Sequence, residues 1–432
     1  MTKKYRLPYA DWLSAASTRL VIDSLQREGT EVRFVGGCVR NSLANKPVTD
    51  VDIATPDRPD RVIELLSSAG IKSLPTGLKH GTIKAIVGKS SFDITTLRRD
   101  AQTYGRHAKV IFCNSWLEDA RRRDFTINSI SASPSGTIFD PFDGISDLEN
   151  GCVKFIGKAS ERITEDYLRI LRFFRFHGLF GRGPIDEEAM TACHTHATKL
   201  KHLSKERIRT EFLKILVVPE PDKICVQMRK ADVLKHLLPQ NCDIRRLRMV
   251  NWLETKVVNI ESVAQDDIRH LAALMGRAHN CTYHTAERLG LSRKQRGQLV
   301  TLTDPENKLS VNLSQILKQQ KIRRHGNKRA IDLVLLAWAG ELAQSRRSFI
   351  KGKDDYIRLL KQCVDWIPPI FPISGTDVLN LGVPPGPAVA TILEDIETWW
   401  EYERYTPKRT ECLKQLELAV KKFDKMNNDL KI

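Results

Sequence analysis

Between residues 31 and 98 the apolar and polar positions change period several times. A mostly apolar run, Val32 to Val35, ends in a Gly36-Gly37 turn, a short helix-like piece follows, and Val48 to Ala54 alternates as a half-buried strand does. The spacing predicts a helix over Arg61 to Ala69 and two more strands, Thr82 to Val87 and Phe92 to Thr96. After about residue 150 the strand signals fade, and Glu165 to Phe180, Lys205 to Leu216 and Asp267 to Met275 carry helical periodicity. The expected class is α+β: a small mixed sheet with helices, followed by an all-helical remainder. A chain of 432 residues exceeds one ordinary core, so two to four domains are expected. The turn-rich passage Pro368 to Pro387 marks a break before the last helices. Its Val383-Pro384-Pro385-Gly386-Pro387 run either presents a helix N-terminus to a phosphate or makes a tight connection.

Composition adds a partner class. Lys and Arg number 69 against 52 Asp and Glu, and a net charge of +17 favours a polyanion, either nucleic acid or an anionic membrane surface. The segment Lys318 to Arg329 holds six Lys or Arg and no acid, and reads either as an RNA-contacting face or as a solvated loop between helices. The nine cysteines are scattered singly with no C-x-x-C, which predicts reduced thiols rather than a zinc site. The first residues lack a signal-peptide core and no stretch is long and apolar enough for a membrane helix, so the expected address is the cytoplasm, with no membrane partner.

Candidate chemistry begins at Val48-Thr49-Asp50-Val51-Asp52-Ile53. Strand side chains alternate, so Asp50 and Asp52 are expected to share one face while Val51 and Ile53 point to the core. Two like charges held together call for a cation, and hard carboxylate oxygens suit Mg²⁺. An isolated D-x-D is more often a polar strand edge, but context changes the odds. Upstream, Gly36-Gly37-Cys38-Val39-Arg40 follows a buried strand and opens a helix, which offers free N–H groups and a guanidinium to a triphosphate. Strand, Gly-Gly turn, helix with Arg and D-x-D strand form the layout of a nucleotidyltransferase palm. Asp93, on a later strand, is a candidate third catalytic carboxylate or else a strand-edge acid. Two-metal phosphoryl transfer onto an RNA 3′ hydroxyl is the chemistry these residues suit.

With these residues in view, the chain resembles the class II tRNA nucleotidyltransferase and bacterial poly(A) polymerase family. Gly36 to Arg40 with Asp50-Val51-Asp52 looks like its first motif, and Arg122-Arg123-Asp124-Phe125-Thr126-Ile127-Asn128 like its second. Asp140 to Gly144 is similar to its hinge motif, Glu165-Asp166-Tyr167-Leu168-Arg169 to its base-selecting motif, and Glu206-Arg207 with Glu211 to the helix that braces it. The resemblance implies that Gly37, Arg40, Arg123, Asp166, Arg169, Arg172 and Arg175 contact the incoming nucleotide, with Asp50 and Asp52 on Mg²⁺. It further implies a nucleotidyltransferase head over 28–150, a base-selecting neck over 151–216, a helical body over 217–330 and an RNA-binding tail over 331–432. CTP and ATP would be the substrates and the tRNA acceptor arm the partner, for a monomer or homodimer.

Chemistry supports the central pair. Asp166 and Arg169 are expected three apart on one helix face, presenting an acceptor and donors together, which complements cytosine and adenine but not uracil or guanine. The bland reading is a surface salt bridge. Thr76 to Thr82 looks like the CCA-adding branch; addition of poly(A), of CC only or of A only remain alternatives, as does a catalytically idle RNA-binding protein. The region Asp100 to Asn114 would reshape the pocket between C and A. Asn41 and Asn45 stand where the family usually has Asp and Gly, which puts local loop geometry in question.

Overall fold

The computed structural model describes residues 5–100, 110–239, 242–261, 263–276, 281–344 and 352–429. The chain gathers into two compact units, Met1–Gln240 with His284–Ser292, and Asn241–Tyr283 with Arg293–Ile432.

In the first unit two helices, α1 (Asp11–Ser14) and α2 (Ala16–Leu25), precede a seven-stranded sheet. Its strands are β1 (Arg33–Val35), β2 (Val51–Thr55), β3 (Lys72–Gly77), β4 (Thr82–Val87) and β5 (Ser90–Thr96), joined later by two short ones. A separate pair, β6 (Arg98–Asp100) and β7 (Val110–Phe112), intervenes before β8 (Ser131–Ala132) and β9 (Ile138–Phe139) complete the sheet. The order is β3-β4-β5-β2-β1-β8-β9, with β2 and β5 parallel and the other pairs antiparallel. The expected α+β class, a mixed sheet followed by helices, is the fold observed.

Alternation along the strands divides the sheet into a dry and a chemical face. Phe34, Ile53, Ile83, Ala85, Phe92 and Ile94 are buried in one core, joined by Val21, Ile22 and Leu25 of α2. The helices α3 (Gly37–Leu43) and α4 (Pro59–Ser68) close over it; α4 starts at Pro59, whose missing N–H costs nothing in a first turn, and buries Val62, Leu65 and Leu66. Residues of the opposite parity, Asp52, Lys84 and Asp93, are left on the other face. The predicted strand over Thr82 to Val87 matches β4, and the predicted Arg61 to Ala69 helix begins two residues earlier at Pro59.

Two more helices, α5 (Trp116–Arg121) and α6 (Gly144–Asn150), lie within the sheet region, followed by α7 (Ala159–Glu165), α8 (Leu168–Phe180), α9 (Glu187–His196), α10 (Lys205–Leu216) and α11 (Pro221–Lys230). The expected single helix over Glu165 to Phe180 is two: Asp166 is extended, at φ −154° and ψ 106°, and separates α7 from α8. Apolar periodicity alone does not register such a break, because Ile163 and Ile170, both buried, are seven residues apart and keep a helical spacing across it.

The second unit has helices and no strand among its described residues. It carries α12 (Ile244–Trp252), α13 (Asp267–Met275), α14 (Thr282–Arg288, which begins in this unit and ends in the first), α15 (Arg293–Thr303), α16 (Gln315–His325), α17 (Asn327–Gln344), α18 (Lys353–Asp365), α19 (Gly375–Asn380), α20 (Pro387–Tyr402) and α21 (Arg409–Asp429). Arg269 is buried between Glu254 and Asp332, each at 2.6 Å, and His270 meets Glu254 at 2.7 Å. The basic segment from Lys318 is not a solvated loop: it spans the end of α16 and the start of α17, and Arg323 reaches Glu397 at 2.5 Å and Glu401 at 3.0 Å on α20. Gly386 leads directly into α20. Among the described residues no helix is long and apolar enough to cross a membrane.

Candidate active site

A cleft of about 430 Å³ opens in the first unit, lined by Gly36, Gly37, Arg40, Asp52, Arg122, Arg123, Asp124, Asn128, Asp166, Leu168, Arg169, Arg172, Phe176 and Arg207. Six arginines face three carboxylates in that lining, a surplus of positive charge suited to a polyphosphate. Residues scattered from 36 to 207 in sequence therefore converge at one place, including Gly37, Arg40, Asp52, Arg123, Asp166, Arg169 and Arg172 of the predicted set. Asp50, Asp93 and Arg175 do not line it.

The floor is built by β1, β2 and the turn between β1 and α3. Gly36 takes φ +68°, and a Cβ there would stand 3.3 Å from Arg123 Nη1 and 3.9 Å from Asp52 Oδ2, so only glycine leaves this approach open. Asp52 is half-buried on β2, in register with Asp93 on the parallel β5, and Asp93 is held by Lys84 at 2.7 Å. Asp50 precedes β2 rather than belonging to it; it is exposed and accepts the Thr49 hydroxyl at 2.9 Å. Burial, then the negative charges of Asp93 and Asp50, push the Asp52 carboxyl above the usual carboxylate range, against the opposing pull of Arg123 and Lys84.

That upward push is the test of fit for a divalent cation. A carboxylate pushed up by neighbouring negative charge gains from a hard cation, so Asp52 with Asp50 beside it fits one, with Asp93 adjoining. Among the described residues no group of three or more His, Cys, Asp or Glu is gathered as a complete ligand set, so other ligands would have to come from substrate or water.

One wall is the Arg122 to Asn128 segment. Buried Asp119 receives Arg122 at 2.8 Å and Arg123 at 3.1 Å. Burial alone would raise Asp119, but the Arg123 and Arg122 charges and hydrogen bonds hold it below the usual range. Asp124, also buried, is paired with Arg172 at 2.6 Å and accepts the Asn128 amide at 2.8 Å; burial opposes its ionisation, and Arg172, Asn128 and Arg169 together outweigh it and lower the carboxyl. Asn128 Oδ1 in turn accepts from Arg40. The hinge motif packs behind this wall: Asp140 accepts the Gly144 and Ile145 N–H groups at 2.8 Å each, and a Cβ on Gly144 would lie 2.3 Å from the Thr126 carbonyl oxygen.

The facing wall is the break between α7 and α8. Asp166 and Arg169 are not on one helix, yet the Arg169 N–H reaches the Asp166 carbonyl at 3.0 Å and both residues line the cleft. Asp166 Oδ2 accepts from Arg207 at 2.6 Å, and Arg169 meets Glu165 at 2.5 Å and the Arg162 carbonyl at 2.8 Å. Glu211 holds Arg175 at 2.7 Å behind the cleft. The expected bracing by Arg207 and Glu211 is thus direct contact. Asn41 accepts the Arg40 guanidinium at 2.8 Å and anchors Pro47 at 2.9 Å, while Asn45 adopts φ 51°, a left-handed conformation that asparagine tolerates. Both departures from the family pattern are accommodated locally. Residues 101–109 of the region expected to reshape the pocket lie outside the described residues.

Known proteins resemble this chain in sequence and in fold. Residues 32–154 match the family model described as Poly A polymerase head domain, and residues 184–244 match that described as Probable RNA and SrmB- binding site of polymerase A. The chain is 33% identical over 426 residues to CCA tRNA nucleotidyltransferase 1, mitochondrial, of Mus musculus, covering 95% of this chain and 92% of that one. The chain belongs to the class II tRNA nucleotidyltransferase and poly(A) polymerase family. Its Homo sapiens relative of the same name is 33% identical over 424 residues, covering 95% of this chain and 92% of that protein. The fold of the family is shared as well: the CCA-adding enzyme of Bacillus stearothermophilus, solved in complex with CTP, superposes with a TM-score of 0.74 at 23% identity, over 94% of this chain and 98% of that one. The chain is a nucleotidyltransferase, and enzymes of this family work with a divalent metal.

Sequence reasoning left several cleft residues out of the predicted set. Gly36 rather than Gly37 is the glycine that the approach to Asp52 requires. Asp119, outside every motif, orients Arg122 and Arg123, and its only sequence signal is a carboxylate one helical turn ahead of a basic run. Asp124 and Asn128 were visible as motif members without a role, and Phe176 was not singled out by any sequence signal.

Proposed function

We propose that this chain adds C, C and A to the 3′ end of tRNA, using CTP and ATP and no nucleic-acid template. The observation that carries the reading is the single cleft joining Asp52, a surplus of arginines and the Asp166–Arg169 pair. Asp50 and Asp52 would hold Mg²⁺, with Asp93 beside them. When bound, the metal supplies Lewis-acid stabilisation of the charge that develops as pyrophosphate departs. Arg40 and Arg123 receive the triphosphate, and Arg172 supports them from its pairing with Asp124.

Asp166 accepts the exocyclic amino group of cytosine or adenine, and Arg169 donates to the neighbouring ring nitrogen. Uracil and guanine present a carbonyl and an N–H in the reverse order and leave both side chains unmatched, which is the costly outcome in a desolvated site. Arg207 and Glu165 hold the two selecting side chains in place before a nucleotide arrives. Residues 28–150 carry the transfer chemistry, 151–216 base selection, and 217–330 with 331–432 the hold on the acceptor arm.

Extension of a tRNA transcript lacking its CCA end, with Mg²⁺ and CTP, ATP or both, tests this. Two additions with CTP alone and three with both are expected. A long A ladder would assign poly(A) synthesis; a stop after CC with both nucleotides, or addition of A only to a transcript already ending in CC, would assign partial synthesis; no extension would leave an RNA-binding protein.

A further inference from the structure

The three guanidiniums nearest Phe176 are not balanced alike. Arg172 is answered by Asp124 at 2.6 Å and Arg175 by Glu211 at 2.7 Å, whereas Arg40 makes no ion pair among the described residues. Its direct partners are neutral, the side-chain oxygens of Asn41 and Asn128 and two aromatic faces, and the Asp124 carboxylate acts on it only from beyond Asn128. Its guanidinium carbon lies 5.0 Å from the centroid of Phe176 and 4.7 Å from that of Phe180. The two rings are one helical turn apart on α8, both buried, and stacked with centroids 6.0 Å apart and planes 18° apart. The Lys46 ammonium lies 4.5 Å from the centroid of Phe180, and it donates to the Leu179 carbonyl, so the chain after α3 is fastened to the end of α8. On the other side, Arg175 and Arg172 approach Phe176 at 4.7 and 5.3 Å.

Cations and rings thus alternate from Lys46 through Phe180, Arg40 and Phe176 to Arg175. We propose that Phe176 and Phe180 are positioning residues for nucleotide binding, holding the Arg40 guanidinium at the cleft out of any direct ion pair so that a substrate polyphosphate supplies its contacting anion. A ring face attracts a cation through its quadrupole, and the attraction strengthens where water is excluded. Unlike a carboxylate, a ring does not compete as an anion for the group it holds. The arrangement rests on the nucleotidyltransferase reading of the cleft and adds a means of keeping one arginine both fixed and out of any direct ion pair.

The test replaces each ring by an apolar side chain without a π face, Phe176→Leu and Phe180→Met, with Phe180→Tyr as the variant that keeps the face. KM for CTP and for ATP should rise about 10-fold in the first two, equivalent to ~1.4 kcal/mol, with kcat within about 3-fold and the preference for C and A over U and G unchanged. Phe180→Tyr should stay within about 2-fold of the parent. Calorimetric binding of inorganic tripolyphosphate to the intact chain should weaken in parallel, and this readout stands even if the chain transfers no nucleotide. Unchanged KM and tripolyphosphate affinity in Phe180→Met, losses in Phe180→Tyr equal to those in Phe180→Met, or a loss confined to one base would each overturn the proposal. Should Phe176→Leu not fold, Phe180→Met near the end of α8 decides alone.

Discussion

At Asp52 two unfavourable conditions coincide, burial and neighbouring negative charge, and both raise the carboxyl. A folded state that raises an acid's pKa disfavours its ionised form, so at neutral pH, without metal, Asp52 weakens the fold. Asp52→Asn should therefore unfold at the same temperature as the parent or slightly higher in chelator, while transfer falls by roughly 10³-fold or more. Thermal unfolding and tRNA extension on the same preparation check both halves, and an Asn variant with near-parental transfer would remove Asp52 from the metal site. The D-x-D spacing made Asp52 legible in the sequence. The unequal standing of the two acids was not legible, because whether Asp50 falls inside β2 depends on where pairing with β1 and β5 begins.

At the scale of elements, the decisive feature is the break at Asp166 between α7 and α8, with α10 braced against it. The loss of helical hydrogen bonding there is offset by Leu168 N–H donating to Asp166 Oδ1 at 3.1 Å and by the Arg207 ion pair. Removing Arg207 leaves a partly buried carboxylate without its cation and free to turn. Arg207→Ala should lower the ratio of kcat/KM for CTP over UTP by about 10-fold, with a smaller change in kcat/KM for CTP itself. Competition between CTP and UTP for a tRNA primer measures it, and an unchanged ratio would reduce Arg207 to a structural contact. The motif sequence named these residues, but its helical periodicity concealed the kink, since buried positions on either side remain in phase.

For the whole molecule, which carries 17 excess positive charges, the acids held ionised among the arginines at and behind the cleft, Asp119 and Asp124 foremost, tie part of the stability to pH. Both carboxyls lie below the usual range in the folded chain, so their contribution is fully present above the unfolded value near 3.8 and disappears as pH falls through the lower folded value. Below about pH 4 stability should drop steeply as buried arginines lose their partners and net repulsion grows. Asp124→Asn should be destabilised by roughly 2–4 kcal/mol at pH 7 and approach the parent as pH nears 2. Denaturant unfolding at a series of pH values checks this, and a constant gap across that range would contradict it.

The sequence by itself determined the α+β class, the family and the motifs whose residues line most of the cleft, because strand alternation and short motifs are local and survive without coordinates. The tertiary structure decided which arginines are ion-paired and which one is not, that Asp119 orients the Arg122–Arg123 run, and that an apolar stripe on α8 doubles as a cation-holding surface. Those facts depend on distances between residues far apart in the chain, such as Arg40 and Phe180, and no periodicity encodes a distance across the fold.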